Sequence, residues 1–180
     1  MGFELTIHDL PRYTYQDYEK WEGDWELIKG FPYSMAPAPT WQHQDFGSDF
    51  VTEFKNAFRK SSSACGCKVL YECDWIVNED TVVRPDVMIV CEPIEGKYPT
   101  KPPSLILEIL SPATILKDRN TKYNLYQAYG VKYYIIANPD KKELEIFLLE
   151  GNQFKLQAML FTFKLTGTCT VEVDVAGLFQ

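Results

Sequence analysis

The sequence predicts an α/β domain built on a mixed central sheet flanked by helices, with an added N-terminal hairpin and added C-terminal strands. Three observations lead there. Ser104–Leu110 and Val131–Ala137 are almost unbroken apolar runs, as strands buried on both faces are. Between them a helical pattern spans about Asp118 to Tyr129 and meets Gly130 at its end; strand, helix, strand in this order is the mark of a parallel crossover. The chain has 180 residues, about one domain's worth, and its 46% hydrophobic and 14% aromatic content can fill a core and excludes a disordered chain.

The remaining elements follow in order. Thr14 reads as the N-cap of a short helix running through Tyr18 and Trp21. Trp25–Gly30 and Phe31–Met35 read as a hairpin, and Pro37 and Pro39 then break the chain. A long helix is expected from about Trp41 to Lys60, because Phe46, Phe50, Phe54 and Phe58 recur every four residues as one core-facing stripe. After the Ser61–Gly66 loop, Lys68–Val77 reads as one strand with Val69, Tyr71, Cys73 and Trp75 on one face. Val82–Val90 follows as a strand interrupted by Pro85, and Pro99–Pro103 as a stiff connection. Beyond the crossover, Glu143–Leu149 and Phe154–Phe163 read as a hairpin turning at Glu150-Gly-Asn152, with Thr170–Val175 as a last edge strand.

Charge narrows the function classes. Lys and Arg total 18 against 25 Asp and Glu, a net charge of −7, which argues against a basic protein that coats DNA. The acidic excess lies in residues 1–100, whereas residues 101–150 carry 7 basic and 6 acidic side chains. No run approaches the roughly 20 apolar residues of a membrane helix, and the first residues lack a basic start and apolar core, so no signal peptide and no membrane association are expected. Gly2 with Thr6 matches the short N-myristoylation pattern, which is common by chance. Cys65, Cys67, Cys73, Cys91 and Cys169 are odd in number, form no CxxC pair and lie far in sequence from His8 and His43. They read as free thiols in a reducing cytoplasm.

Four residues break the local pattern. Glu108 sits within the apolar run Leu105–Leu110, and an isolated buried carboxylate is expensive unless it is paired or metal-bound. Asp86 follows Pro85 and opens the run Val87–Val90. If those strands are neighbours, the two acids share one small space and repel unless a divalent cation lies between them; alternatively Glu108 pairs with Arg84 or Arg119 and Asp86 caps a turn. Lys122 lies on or beside the apolar stripe of its helix, with Leu125, Tyr126 and Tyr129 at i+3, i+4 and i+7, and Asp118 one turn earlier. It either snorkels to solvent or points into a polar pocket. Glu26, between Trp25 and Leu27, points outward by strand alternation.

These residues form an ordered set. Glu26-Leu-Ile-Lys-Gly30, Met35 and His43 precede Arg84-Pro-Asp86-Val-Met-Ile-Val90. Leu107-Glu-Ile-Leu-Ser-Pro112 follows, then Thr114, Asp118, Lys122, Tyr126, Gly130-Val-Lys-Tyr-Tyr-Ile-Ile136 and Asn138-Pro139. The set resembles the Uma-type family of restriction-endonuclease-like proteins, assigned to the PD-(D/E)XK nuclease superfamily, over about residues 14–150 of a single domain spanning 1–180. The resemblance implies a restriction-endonuclease-like fold and makes Asp86 the motif aspartate and Glu108 the second metal-binding acid. Glu26 becomes the glutamate near the first core element, which binds a second metal or supports the first. The superfamily places a lysine two residues after the Glu; here that position is Leu110, and the resemblance moves the role to Lys122.

The implied chemistry is phosphodiester hydrolysis, with DNA as the expected substrate and Mg²⁺ (Mn²⁺ as a substitute) held by Asp86, Glu108 and the Ile109 carbonyl. Lys55, Arg59 and Lys60, and separately Lys117, Arg119 and Lys122, are the candidate phosphate contacts; ordinary solvated surface is the alternative. His43 either approaches the site or is a plain surface or core histidine. A homodimer is expected from the resemblance, since cutting two strands takes two sites. A catalytically inactive binding or dimerisation module on the same fold is the competing class, favoured by Leu110. A cysteine hydrolase has no readable Cys–His pair.

Overall fold

The computed structural model describes residues 6–35, 38–61, 65–112, 114–158 and 161–179. Gly2, and with it the N-myristoylation pattern, lies outside the described residues, as does part of the expected Ser61–Gly66 loop.

The central sheet has six strands. In chain order these are β3 (Lys68–Tyr71), β6 (Val87–Val90), β7 (Leu105–Ile109), β8 (Tyr133–Asn138), β9 (Glu143–Glu150) and β10 (Gln153–Gln157), and their spatial order is β10-β9-β8-β7-β6-β3. Within it β7 and β8 pair in parallel, from Leu105 opposite Tyr133 to Ile109 opposite Ala137, and the other neighbours are antiparallel. The crossover read from the sequence is therefore present. Every residue of β6 and β7 is buried, as their continuous apolar character requires.

Alternation along β7 sends its side chains to two cores. Leu105, Leu107 and Ile109 meet Phe46, Phe50 and Phe54 of the long helix α2 (Trp41–Lys60), so the aromatic stripe is core packing. Ile106 and Leu110 meet Leu125 and Tyr126 of a helix on the opposite face, α3 (Tyr123–Ala128). Glu108 shares the face of Ile106 and Leu110. The helix leading into α3 is wound as a π-helix over Lys117–Lys122.

A four-stranded sheet, in the order β2-β1-β5-β4, carries the N-terminal hairpin of β1 (Trp25–Ile28) and β2 (Phe31–Ser34) beside β4 (Trp75–Asn78) and β5 (Thr81–Val83). The short helix α1 (Tyr15–Tyr18) has Thr14 at its N-cap in a capping box with Asp17. The expected strand Lys68–Val77 is two strands in two sheets. Glu72 adopts a left-handed φ of 45°, and the chain crosses from β3 to β4 there. The break is anchored by buried Asp74, which accepts hydrogen bonds from Arg84 Nε at 2.6 Å and from the Tyr18 hydroxyl at 2.9 Å. The return crossing is Arg84-Pro85-Asp86, between β5 and β6.

Two further expectations change. The β9–β10 hairpin ends at Gln157, and Phe163 belongs instead to β11 (Thr162–Lys164), which pairs only with β12 (Thr170–Glu172). Free thiols were expected at all five cysteines, but Cys65 bonds Cys169 and Cys67 bonds Cys91, leaving Cys73 as the free thiol. Partners separated by 104 and 24 residues meet because β12 packs onto α2 and because Cys67 and Cys91 flank the paired residues Lys68 and Val90. Linear spacing could not show either approach, so the step from cysteine spacing to a reducing compartment loses its basis. Among the described residues, no helix is long and apolar enough to cross a membrane.

Candidate active site

The register of β6 on β7 creates the site. Val87 pairs with Leu107, and continuing that antiparallel pairing by one residue sets Asp86 opposite Glu108 at the strand ends. Asp86 Oδ2 accepts a 2.6 Å hydrogen bond from the Ile109 backbone N–H, which ties the two strand ends together. Both acids line a cavity of about 310 Å³ with Ile109, His43, Lys117 and Lys122.

Glu108 does not pair with arginine. Its Oε1 accepts from Lys122 Nζ at 2.9 Å and from the Tyr126 hydroxyl at 2.6 Å. Lys122 and Tyr126 are four residues apart on one helix face, over the face of β7 that carries Glu108. Arg119 forms a two-pronged pair with Glu145, and Arg84 is held by Asp74 and Asp24. Lys122 does not snorkel: its ammonium is buried 2.9 Å from Glu26 Oε1 and 3.8 Å from Asp118 Oδ1.

The outward orientation expected of Glu26 is overturned. The side chain is fully buried, because β1 lies inside its sheet and Glu26 shares a face with Ile28, which packs into the core beneath α3. Oε1 also accepts from the Arg84 backbone N–H at 2.9 Å, and Oε2 accepts from Lys117 Nζ at 2.5 Å. Both Glu26 oxygens are thus taken by protein donors.

His43, left open in the sequence, comes into the site. Gly47, one turn further along α2, has no side chain, and a Cβ there would lie 3.0 Å from the Tyr71 ring and 3.2 Å from Ile109. That close approach of helix to sheet brings His43 Nε2 to 3.3 Å from Asp86 Oδ1, while Nδ1 is buried with no hydrogen-bond partner among the described residues. Of the candidate phosphate contacts Lys117, Arg119 and Lys122, Lys117 and Lys122 line the cavity, whereas Arg119 is held by Glu145 outside it. No sequence signal separates Lys117 from a surface lysine, because its placement depends on the π-helical winding.

The electrostatics are those of a crowded acidic pocket. Burial pushes Glu108 well above the ordinary carboxylate range; Lys122 opposes this, and Asp118, Asp86 and Glu26 add to it. Burial also raises Asp118, against Lys122 and Thr114. Burial acts on Glu26 in the same direction, but Lys122 and Lys117 outweigh it and hold Glu26 below its usual value. Burial would lower Lys122, yet Glu108, Glu26 and Asp118 hold it well above the usual lysine value, so it stays charged. For His43, burial is outweighed by Asp86, and the imidazole is raised.

Four acids, Glu26, Asp86, Glu108 and Asp118, face two lysines, and buried Asp118 Oδ1 has no hydrogen-bond partner among the described residues. The uncompensated negative charge and hard oxygen donors fit a divalent cation. Among the described residues no three His, Cys, Asp or Glu side chains form a metal-holding group.

The fold has a solved counterpart. The crystal structure of a "putative nuclease belonging to DUF820" from Anabaena variabilis superposes with a TM-score of 0.72, covering 92% of this chain and 97% of that one at 15% identity. No curated protein matches the chain. The family model Uma2, described as "Putative restriction endonuclease", matches residues 14–175, a span that takes in the site and extends past residue 150 through β11 and β12. With most of its length matched, and with the fold, Asp86, Glu108 and Lys122 in one cavity, this chain belongs to the Uma2 family of restriction-endonuclease-like proteins.

Proposed function

We propose that the protein is a nuclease that hydrolyses phosphodiester bonds in DNA with Mg²⁺, and that Mn²⁺ can replace it. The observation that carries this reading is the meeting of Asp86, Glu108 and the Lys122 ammonium in one cavity, although Leu110 holds the position where the superfamily keeps its lysine. Asp86, Glu108 and the Ile109 carbonyl are the groups that would hold the cation. Bound there, it supplies a more acidic water and neutralises charge on the phosphate.

The chain's own residues set the geometry. Asp86 is fixed by the Ile109 N–H and flanked by His43, and Glu108 is fixed by Lys122 and Tyr126. A carboxylate aimed by two donors is preorganised and needs no rearrangement as charge develops. Hydrolysis adds water oxygen to phosphorus as the ester P–O bond breaks, leaving a phosphate monoester on one product and a hydroxyl, which takes up a proton, on the other.

The test is cleavage of plasmid and oligonucleotide DNA with Mg²⁺ or Mn²⁺. Glu108→Ala and Lys122→Ala are expected to abolish it, and unchanged cleavage in both would overturn the assignment. An inactive binding module is the second reading, favoured by Leu110, which is buried in the core beneath α3. It predicts no Mn²⁺ binding at Asp86 and Glu108 and no cleavage. A homodimer, read out by sedimentation, is part of the same proposal, since a duplex has two strands to cut.

A further inference from the structure

The two site lysines are held in different ways. An ammonium group has three N–H donors. Lys122 donates a hydrogen bond to Glu108 at 2.9 Å and forms ion pairs with Glu26 at 2.9 Å and Asp118 at 3.8 Å, and its side chain is only 4% exposed. Lys122 is thus enclosed by three carboxylates. Lys117 donates to Glu26 Oε2 and has that single partner among the described residues; its side chain is 17% exposed and lines the cavity. Two of its N–H groups are therefore uncommitted. Arg84, which also lines the cavity, spends Nε and Nη1 on Asp74 and Asp24.

Lys117 reaches this position through the backbone. In an α-helix, residues five apart differ by about 140° around the axis and face different ways. In a π-helix the bonding runs i→i+5, and such turns are frequent at functional sites. The π-helix over Lys117–Lys122 turns its first and last residues closer to one face than an α-helix would, and both ammonium groups converge on Glu26. Both Glu26 oxygens already face protein donors, and Glu26 serves as the holder of both lysines.

A phosphate entering the cavity meets Asp86, Glu108, Asp118, Glu72 and Asp140 along its walls. Those walls repel an anion, and Lys117 is the lysine on the cavity with N–H donors uncommitted among the described residues. We propose that Lys117, held by Glu26, binds the non-bridging oxygens of the substrate phosphodiester, and that Lys122 is a positioning residue that fixes Glu108. This rests on the nuclease reading and assigns its phosphate contact.

The experiment compares wild type, Lys117→Met, Lys117→Gln, Lys117→Arg and Lys122→Met in two assays. The first is steady-state cleavage of oligonucleotide DNA with Mg²⁺ or Mn²⁺. The second is fluorescence-anisotropy binding of a phosphorothioate oligonucleotide in EDTA, which needs neither metal nor turnover. Lys117→Met and Lys117→Gln are expected to lose about 100-fold in kcat/KM and to bind the phosphorothioate more weakly, while Lys117→Arg retains binding. The glutamine variant keeps an N–H for Glu26 Oε2 without the charge, so a merely structural lysine would leave it at the wild-type level, and that result overturns the proposal. Lys122→Met is expected to lose cleavage while keeping phosphorothioate binding; loss of that binding in a folded Lys122→Met protein with Lys117→Met unaffected also overturns it. If wild type cuts neither DNA nor RNA, the nuclease reading fails by itself. The Lys117 assignment is then decided by the binding arm, where equal affinity of wild type and Lys117→Met rejects it and weakened binding supports it.

Discussion

The Lys122 ammonium meets the Glu108 carboxylate at 2.9 Å from an element that begins only after β7 has ended, fourteen residues along the chain. The charge is therefore delivered across the sheet face and not along the strand. The pair is buried, and Glu26 shares the same ammonium. Removing one member of such a group leaves the others uncompensated in a low-dielectric space.

For Lys122→Met the expectation is a loss of about 3–5 kcal/mol in stability, because Glu26 and Glu108 both lose a cation. Urea unfolding monitored by tryptophan fluorescence measures this. A variant within about 0.5 kcal/mol of wild type would mean that the ammonium contributes nothing net.

Glu26 and Glu108 have opposite pH signatures. The folded pKa of Glu26 is depressed, so its contribution is fully present above the unfolded value near 4.5 and is lost as pH falls through the folded value. Glu26→Gln should therefore be less stable than wild type at pH 7, with the gap narrowing below about pH 4. The folded pKa of Glu108 is raised, so the wild type loses stability as pH climbs from about 4.5 through that value, and Glu108→Gln should flatten this slope. Unfolding midpoints between pH 3 and pH 8 give both signs in one series.

Gly47 sets the distance between α2 and the sheet. Gly47→Val inserts three carbons where the first already meets Tyr71 and Ile109, an overpacking expected to cost about 1–3 kcal/mol. The lift should also carry His43 away from Asp86, seen as a fall of the imidazole pKa toward its ordinary value by NMR titration. An unchanged titration would mean that His43 is positioned independently of the helix.

The Cys65–Cys169 bond closes a loop of about a hundred residues and ties the segment before β3 to the strand pair at the C-terminal end. Replacing both cysteines by serine should cost about 4.7 kcal/mol on the chain-entropy scale, and the shorter Cys67–Cys91 loop about 3.4. Thermal unfolding with and without dithiothreitol separates the two variants. No change on reduction would show that the thiols are not bonded in solution.

What the sequence revealed depended on whether the signal was local. The α2 helix, the β7–β8 crossover and the Thr14 cap are written in periodicity and cap chemistry, which act within a few residues. Asp86 and Glu108 stood out because charge in an apolar run needs a partner. The strand break at Glu72 was hidden because its cause, the Asp74–Arg84 pair, is ten residues away and belongs to the second sheet. Glu26 looked solvent-facing because alternation assumes one wet face, and β1 has neighbours on both edges and helix-side packing above. His43 and the cysteine pairs needed three-dimensional proximity that spacing does not encode.

The winding between Lys117 and Lys122 carries one residue more than an ordinary turn would hold between aligned positions. Deleting a single residue there, such as Asn120, would leave the two lysines four apart, and a regular α-helix would keep them on one face together with Leu125 and Tyr126. Forcing regular winding on the full-length turn would instead carry Lys117 about 140° away from Lys122. The pair of cations is thus tied to the residue count of one turn, so a relative one residue shorter there can grip the same phosphate from a plain helix, and a relative of this length needs the wider winding to do it.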